Sequence, residues 1–137
     1  PLCRQFGVGI MAYSPLAIGL LTGRFRRGQE PPEHTPWSRG ENTGLSPHKY
    51  TLEDAMDEFN DRIVATLVEV AQRHDRTPAQ VAIAWILDHP EVSAPILGAD
   101  QLEHVDEIFS GIEWSLPAEE RQLLDEVSER PQPRKFA

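Results

Sequence analysis

Val8-Gly9-Ile10-Met11-Ala12-Tyr13-Ser14-Pro15 is the stretch on which the fold reading depends. Residues 8–13 are almost wholly apolar, Gly7 precedes them, and Ser14-Pro15 closes the run. A run this short, without polar alternation, predicts a strand covered on both faces, as in a parallel sheet. The second strand candidate is Val92 to Leu97, where Pro95 interrupts the ladder donors.

Between the two runs the pattern changes. Leu16 to Phe25 is punctuated by Gly19 and Gly23 and has room for one helical turn. Arg26 to Tyr50 is polar, proline-rich and without period, which predicts a long functional loop. From Leu52 to about His74 a single helix is expected, with Phe59, Ile63, Leu67, Val70 and Ala71 on one stripe. Thr77-Pro78-Ala79-Gln80 restarts a helix: Thr77 caps, Pro78 suits the first position, and Gln80 closes a capping box. Val81, Ala84, Trp85 and Leu87 mark its buried side, and His89-Pro90 ends it. After the second strand, Asp100 and Glu103 read as a cap and first-turn acid. The helix they open runs to about Ser110, with Leu102, Val105, Ile108, Phe109 and Ile112 as its apolar side. A last helix spans about Pro117 to Ser128, and residues 130–137 form a proline-broken basic tail.

The order strand, helices, strand, helices is that of an α/β fold with a parallel sheet. Two parallel strands cannot close a barrel, and their outer edges would leave amides and carbonyls unpaired. The chain therefore reads as an incomplete sheet on physical grounds alone.

Composition narrows the function. A formal net charge of -9 argues against nucleic-acid binding, which requires a basic surface. No apolar run approaches the roughly 20 residues of a membrane span, so no membrane role is expected. No signal peptide is recognised. Cys3 is the one cysteine, which excludes an intrachain disulfide and fits a reducing cytoplasm. The five histidines lack metal-ligand spacing, and no activated serine or cysteine arrangement is visible.

Three motifs share a resemblance. Tyr13-Ser14-Pro15-Leu16-Ala17-Ile18-Gly19-Leu20-Leu21-Thr22-Gly23-Arg24 resembles a signature of the aldo-keto reductases, located there at the end of the seventh strand of a (β/α)8 barrel. Thr77 to Leu87 resembles the helix leading to the eighth strand. Pro95-Ile96-Leu97-Gly98-Ala99, followed by Glu103 and Val105, resembles the end of that strand and the next helix. The resemblance implies the C-terminal portion of a TIM barrel over residues 1–129, with two parallel strands and several helices. It implies hydride transfer between NAD(P)H and a small carbonyl substrate, with NADP or NAD as cofactor. Tyr13 would stack on the nicotinamide. Ser14 and Leu16 would meet the pyrophosphate, Gly19 would let the backbone bend close to it, and Arg24 would face a phosphate. Gly98 and Ala99 would approach the adenosine phosphate at a helix N-terminus, where an anion is favoured.

The chain also departs from the family. Asp100 stands where many members carry an arginine that grips the 2'-phosphate of NADP, so NAD is expected to be tolerated or preferred. His104 replaces a common glutamine and Ile108 a common asparagine near the adenine. The family's catalytic tyrosine, lysine, aspartate and histidine have no counterpart in context. Tyr50 and Lys49 fall in the loop and Lys135 in the tail. The expectation is a reductase fragment, inactive alone, that needs the missing barrel half or a partner over its sheet edges. The alternative is a non-enzymatic regulatory or channel-associated subunit of the same ancestry.

Overall fold

A computed structural model describes residues 2–39, 51–99 and 101–129. Helix α1 (Leu2–Phe6) leads into strand β1 (Ile10–Tyr13). A single 3-10 turn (Leu20–Thr22) and the short helix α2 (Pro36–Arg39) follow. Helices α3 (Leu52–Ala55), α4 (Glu58–Arg73) and α5 (Pro78–Leu87) precede strand β2 (Val92–Ile96). Helices α6 (Leu102–Gly111) and α7 (Ala118–Ser128) complete the order.

The strands pair in parallel, with Tyr13 beside Ile96 and an irregularity between Ile10 and Met11. Parallel pairing puts the C-terminal ends of both strands, and the loops that leave them, at one end of the sheet. The expected cover on both faces of β1 is not observed. Ile10 and Ala12 are half-buried, whereas Met11 and Tyr13 are exposed. The reason is geometric: among the described residues β1 has a single neighbouring strand, and the face carrying Met11 and Tyr13 has no opposing layer.

The expected helix from Leu52 to His74 is two helices. Thr51 caps α3 through a reciprocal box with Asp54, and Asp57 caps α4 by accepting from the Asn60 amide. Met56 lies between them with a non-helical backbone and its side chain fully buried. Burial along α4 follows Val64, Leu67, Val70 and Ala71, so Phe59 is only half-buried and Val64 takes its place. Two apolar clusters result. One joins Leu67, Val70 and Ala71 of α4 to Val81, Ala82 and Ala84 of α5 and Leu124 of α7. The other gathers Phe25, Trp37, Leu52, Met56 and Val64.

The capping box at Thr77 forms as expected, with Pro78 in the first turn. Gln80 does more than cap. Its side-chain amide donates to the Glu107 carbonyl at 2.7 Å and to Ser110 Oγ at 3.0 Å, which fastens α5 to α6. Helix α6 departs from its expected apolar side: Ile108 is buried, but Leu102, Phe109 and Ile112 are exposed. Its N-cap is Gln101, whose side chain makes no cap bond; Asp100, expected in that role, lies outside the described residues. Within the loop expected over residues 26–50, the described part ends in α2, and its Trp37 is core. Lys49, Tyr50 and the tail at 130–137 lie outside the described residues.

Candidate cofactor site

A cleft of about 1100 Å³ lies where the two strands end. One wall is the loop leaving β1, with Ser14, Leu16 and Gly19, continued by Thr22 and Arg24. The facing wall is Leu97, Gly98, Gln101, His104 and Ile108, from the end of β2 and the start of α6. The N-terminus of α5, Thr77 to Ala79, forms the floor, and Glu33 to Pro36 of the returning loop closes one side.

Of the residues singled out in the sequence, Ser14, Leu16, Gly19, Arg24, Gly98 and His104 therefore share one cleft. Tyr13 and Ala99 do not line it. The Tyr13 side chain is 69% exposed on the open face of β1. Asp100 lies outside the described residues.

The β1 loop is held in an unusual path. Ser14, Ala17 and Ile18 have φ of 51°, 49° and 57°, the left-handed region that non-glycine residues rarely occupy. Internal bonds fix the curve: Ala17 N–H donates to Ser14 O at 2.9 Å and Leu21 N–H to Leu16 O at 3.3 Å. The Thr22 hydroxyl donates to Gly19 O at 2.7 Å. Gly23 must be glycine twice over. Its φ is 76°, and a Cβ there would stand 2.9 Å from Val68 Cγ2 and 3.3 Å from Pro78 Cγ.

The cleft offers groups that an anion could use. Among the described residues, the amides of Leu16, Ile18 and Gly19 make no backbone hydrogen bond, so they remain as donors. The Arg24 guanidinium has no carboxylate partner within ion-pair distance among the same residues. The first turn of α6 carries no side-chain cap on its Gln101, which leaves helix-terminal N–H groups for an anion. At Gly98 a Cβ would meet no atom of the described residues within 4 Å, so the backbone there is open to the cleft. Glu33 and Glu107 also line the cleft and limit where negative charge can sit.

Sequence reading missed the floor and the closing side. Thr77 and Pro78 were legible as a helix start but not as cleft lining. Trp37, whose indole N–H donates to Ile18 O at 3.0 Å, had no local signal because its partner lies 19 residues away.

A parallel α/β fold with its cleft at the strand C-termini is the arrangement of (β/α)8 barrels and of open doubly wound sheets. Residues 1–129 match the sequence profile of the Aldo/keto reductase family, and the chain belongs to that family. It is 31% identical over 128 residues to probable aldo-keto reductase 1 of Glycine max, covering 93% of this chain and 34% of that protein. It is 33% identical over 129 residues to a putative voltage-gated potassium channel subunit beta of Schizosaccharomyces pombe, covering 93% and 36%. The structure of a glycerol dehydrogenase from Gluconobacter oxydans superposes with a TM-score of 0.68 at 22% identity, over all of this chain and 40% of that one. The chain thus spans about a third of the length of the curated relatives it matches. No helix among the described residues is long and apolar enough to cross a membrane.

Proposed function

We propose that the cleft is the NAD(P)-binding end of a reductase barrel acting on a small aldehyde or ketone. The observation that carries this reading is the convergence of Ser14, Leu16, Gly19, Arg24, Gly98 and His104 on one cleft at the strand C-termini. A bound cofactor would supply hydride to the carbonyl carbon. The β1-loop amides, the Ser14 hydroxyl and Arg24 would hold its pyrophosphate. The start of α6, with Gly98 and Ala99, would take the adenosine phosphate, and His104 and Ile108 would flank the base. Tyr13, at the mouth end of β1, would present its ring to the nicotinamide. Its exposure suits a side chain that completes a surface only with ligand or with further barrel strands.

No residue of this chain is assigned the proton-donating role, because Tyr50, Lys49 and Lys135 lack the family context. The 137-residue chain by itself is therefore proposed to bind cofactor without turnover. Reduction of an aldehyde at an ordinary enzymatic rate by the purified chain overturns that statement. A cytoplasmic setting belongs to the same proposal and rests on the lone Cys3.

The sequence position of Asp100 favours NAD over NADP, since a carboxylate repels the 2'-phosphate and accepts from a free ribose hydroxyl. Titration of both cofactors is the test. NAD is expected to bind at least as tightly, and Asp100→Asn to improve NADP selectively. A strong NADP preference in the unaltered protein sinks the assignment.

A second reading is favoured by the similarity to the channel subunit of Schizosaccharomyces pombe. It makes this chain part of a regulatory subunit that keeps the cofactor cleft. It predicts cofactor binding and no carbonyl reduction even in the intact protein, so a turnover assay separates the two.

A further inference from the structure

We infer that Trp37 is a positioning residue for the cofactor cleft, holding Ile18 in the left-handed conformation that shapes the β1 loop. This rests on the cofactor reading above. Ile18 is β-branched, and its φ of 57° crowds its side chain against the backbone. Such a residue persists only where its surroundings hold it. The Trp37 indole N–H supplies that hold, donating to the Ile18 carbonyl at 3.0 Å. The indole is itself fixed. It is 9% exposed, within the cluster of Phe25, Leu52, Met56 and Val64. Its ring meets Phe25 edge-on at 6.4 Å and 64°. Phe25 in turn lies 3.3 Å from where a Cβ on Gly19 would be, so the two aromatics back consecutive residues of the same loop. Trp37 does not line the cleft. It acts on binding through the peptide between Ile18 and Gly19, two residues that line the cleft, whose N–H makes no backbone hydrogen bond among the described residues.

Trp37→Phe keeps an aromatic ring in the cluster and removes the donor. In the intact protein, dinucleotide affinity is expected to fall roughly 3- to 10-fold, the scale of one net hydrogen bond. Binding of 5'-AMP, which would engage only the α6 wall, is expected to stay unchanged. A glycine at position 18 adopts the left-handed region without strain. In an Ile18→Gly background, Trp37→Phe should therefore cost less than 2-fold in dinucleotide affinity. Leu52→Val, which loosens the same apolar cluster away from Ile18, should lower the thermal midpoint and leave the ratio of dinucleotide to AMP affinity unchanged. Equal losses for dinucleotide and AMP on Trp37→Phe overturn the inference. So does an undiminished loss in the Ile18→Gly background. If Trp37→Phe does not fold alone, refolding by Ile18→Gly supports the inference and continued failure overturns it. If the unaltered protein binds neither dinucleotide nor AMP, the cofactor reading itself has failed.

Discussion

The two walls of the cleft are built on opposite principles. The β1-loop wall is braced from behind: Gly23 seats on Val68 and Pro78, Phe25 on Gly19, and Trp37 bonds the Ile18 carbonyl. Its strained backbone is set before any ligand arrives. The α6 wall has little behind it at its tip. Among the described residues nothing stands within 4 Å of a Cβ on Gly98, the Gln101 side chain makes no cap bond, and Leu102 is 72% exposed. What fixes α6 is its C-terminal half, through Gln80 and the close approach of Gly111. The difference teaches which substitutions report on folding and which on ligand. Changes to the packing behind the first wall should appear chiefly as stability, with affinity following through the path of the loop, and changes at the tip of the second as affinity alone.

The largest effect is expected at Gly23. Gly23→Val forces a β-branched residue to φ 76° and drives its Cβ into Val68 and Pro78. Left-handed strain costs about 1–2 kcal/mol and overpacking about 1–3 kcal/mol. Urea denaturation is expected to show a loss of about 3 kcal/mol. A loss under about 1 kcal/mol would break the comparison, because the first wall would then yield as readily as the second.

Next comes the anchor of α6. Gln80 is 7% exposed and bonds Thr77 N–H, Glu107 O and Ser110 Oγ. Gln80→Ala leaves the buried end of α5 without its reciprocal cap and the α6 carbonyl without its donor. The expected cost is about 2 kcal/mol, from about 1 kcal/mol for each of the two functions lost. Amide exchange should rise across α6 more than across α4, since α4 keeps its own contacts with α5 and α7. Uniform exchange would show that α6 is held by something other than this clasp.

Gly98→Val isolates the open wall. The backbone there is not in the left-handed region, and a Cβ would meet no atom of the described residues within 4 Å. Stability is expected to stay within about 0.5 kcal/mol of the parent, as for a surface change. Dinucleotide affinity should drop about tenfold or more, or about 1.4 kcal/mol. Unaltered affinity would remove Gly98 from the cofactor site and sharpen the assignment toward the first wall alone.

Much of this contrast could be read in advance, and the exceptions have physical causes. The two strands, the capping box at Thr77 and the helix stop at His89-Pro90 are local patterns, carried by residues a few positions apart. The break at Met56-Asp57 was hidden because apolar residues continue through it at nearly helical spacing; only Asp57 as a cap betrays it. The loop after Arg26 read as structureless, since its order comes from Trp37 reaching Ile18 and Arg26 reaching Asp61 across sequence. The exposure of Met11, Tyr13, Leu102 and Phe109 was not legible, because apolar patterning marks a face to be covered without saying which residues supply the cover. Six of the nine expected cofactor residues converge on the cleft, since glycine-rich loops after parallel strands are confined to one end of the sheet.

The smallest expected effect tests where the bracing of the first wall ends. Arg26 grips Asp61 of α4 with both arms, Nε to Oδ1 at 2.9 Å and Nη2 to Oδ2 at 3.2 Å, and the Arg27 amide adds a bond at 3.2 Å. These partners, the Arg26 side-chain bond first, hold the Asp61 carboxyl below its ordinary range. A carboxylate lowered on folding contributes stability above its unfolded pKa and loses it as pH falls through the folded value. The pair is partly solvated, with side chains 37% and 25% exposed, so screening keeps its worth at or below about 1 kcal/mol. Asp61→Asn is thus expected to lose up to that amount at pH 7. The gap to the parent should be constant down to about pH 4 and shrink below it. Urea midpoints for both proteins between pH 7 and pH 2.5 measure this. Neither Arg26 nor Asp61 lines the cleft, so dinucleotide affinity should change less than twofold. A gap independent of pH would remove the charge from the account of how the returning loop is tied to α4. A larger affinity loss would extend the braced wall past Phe25 to α4 itself.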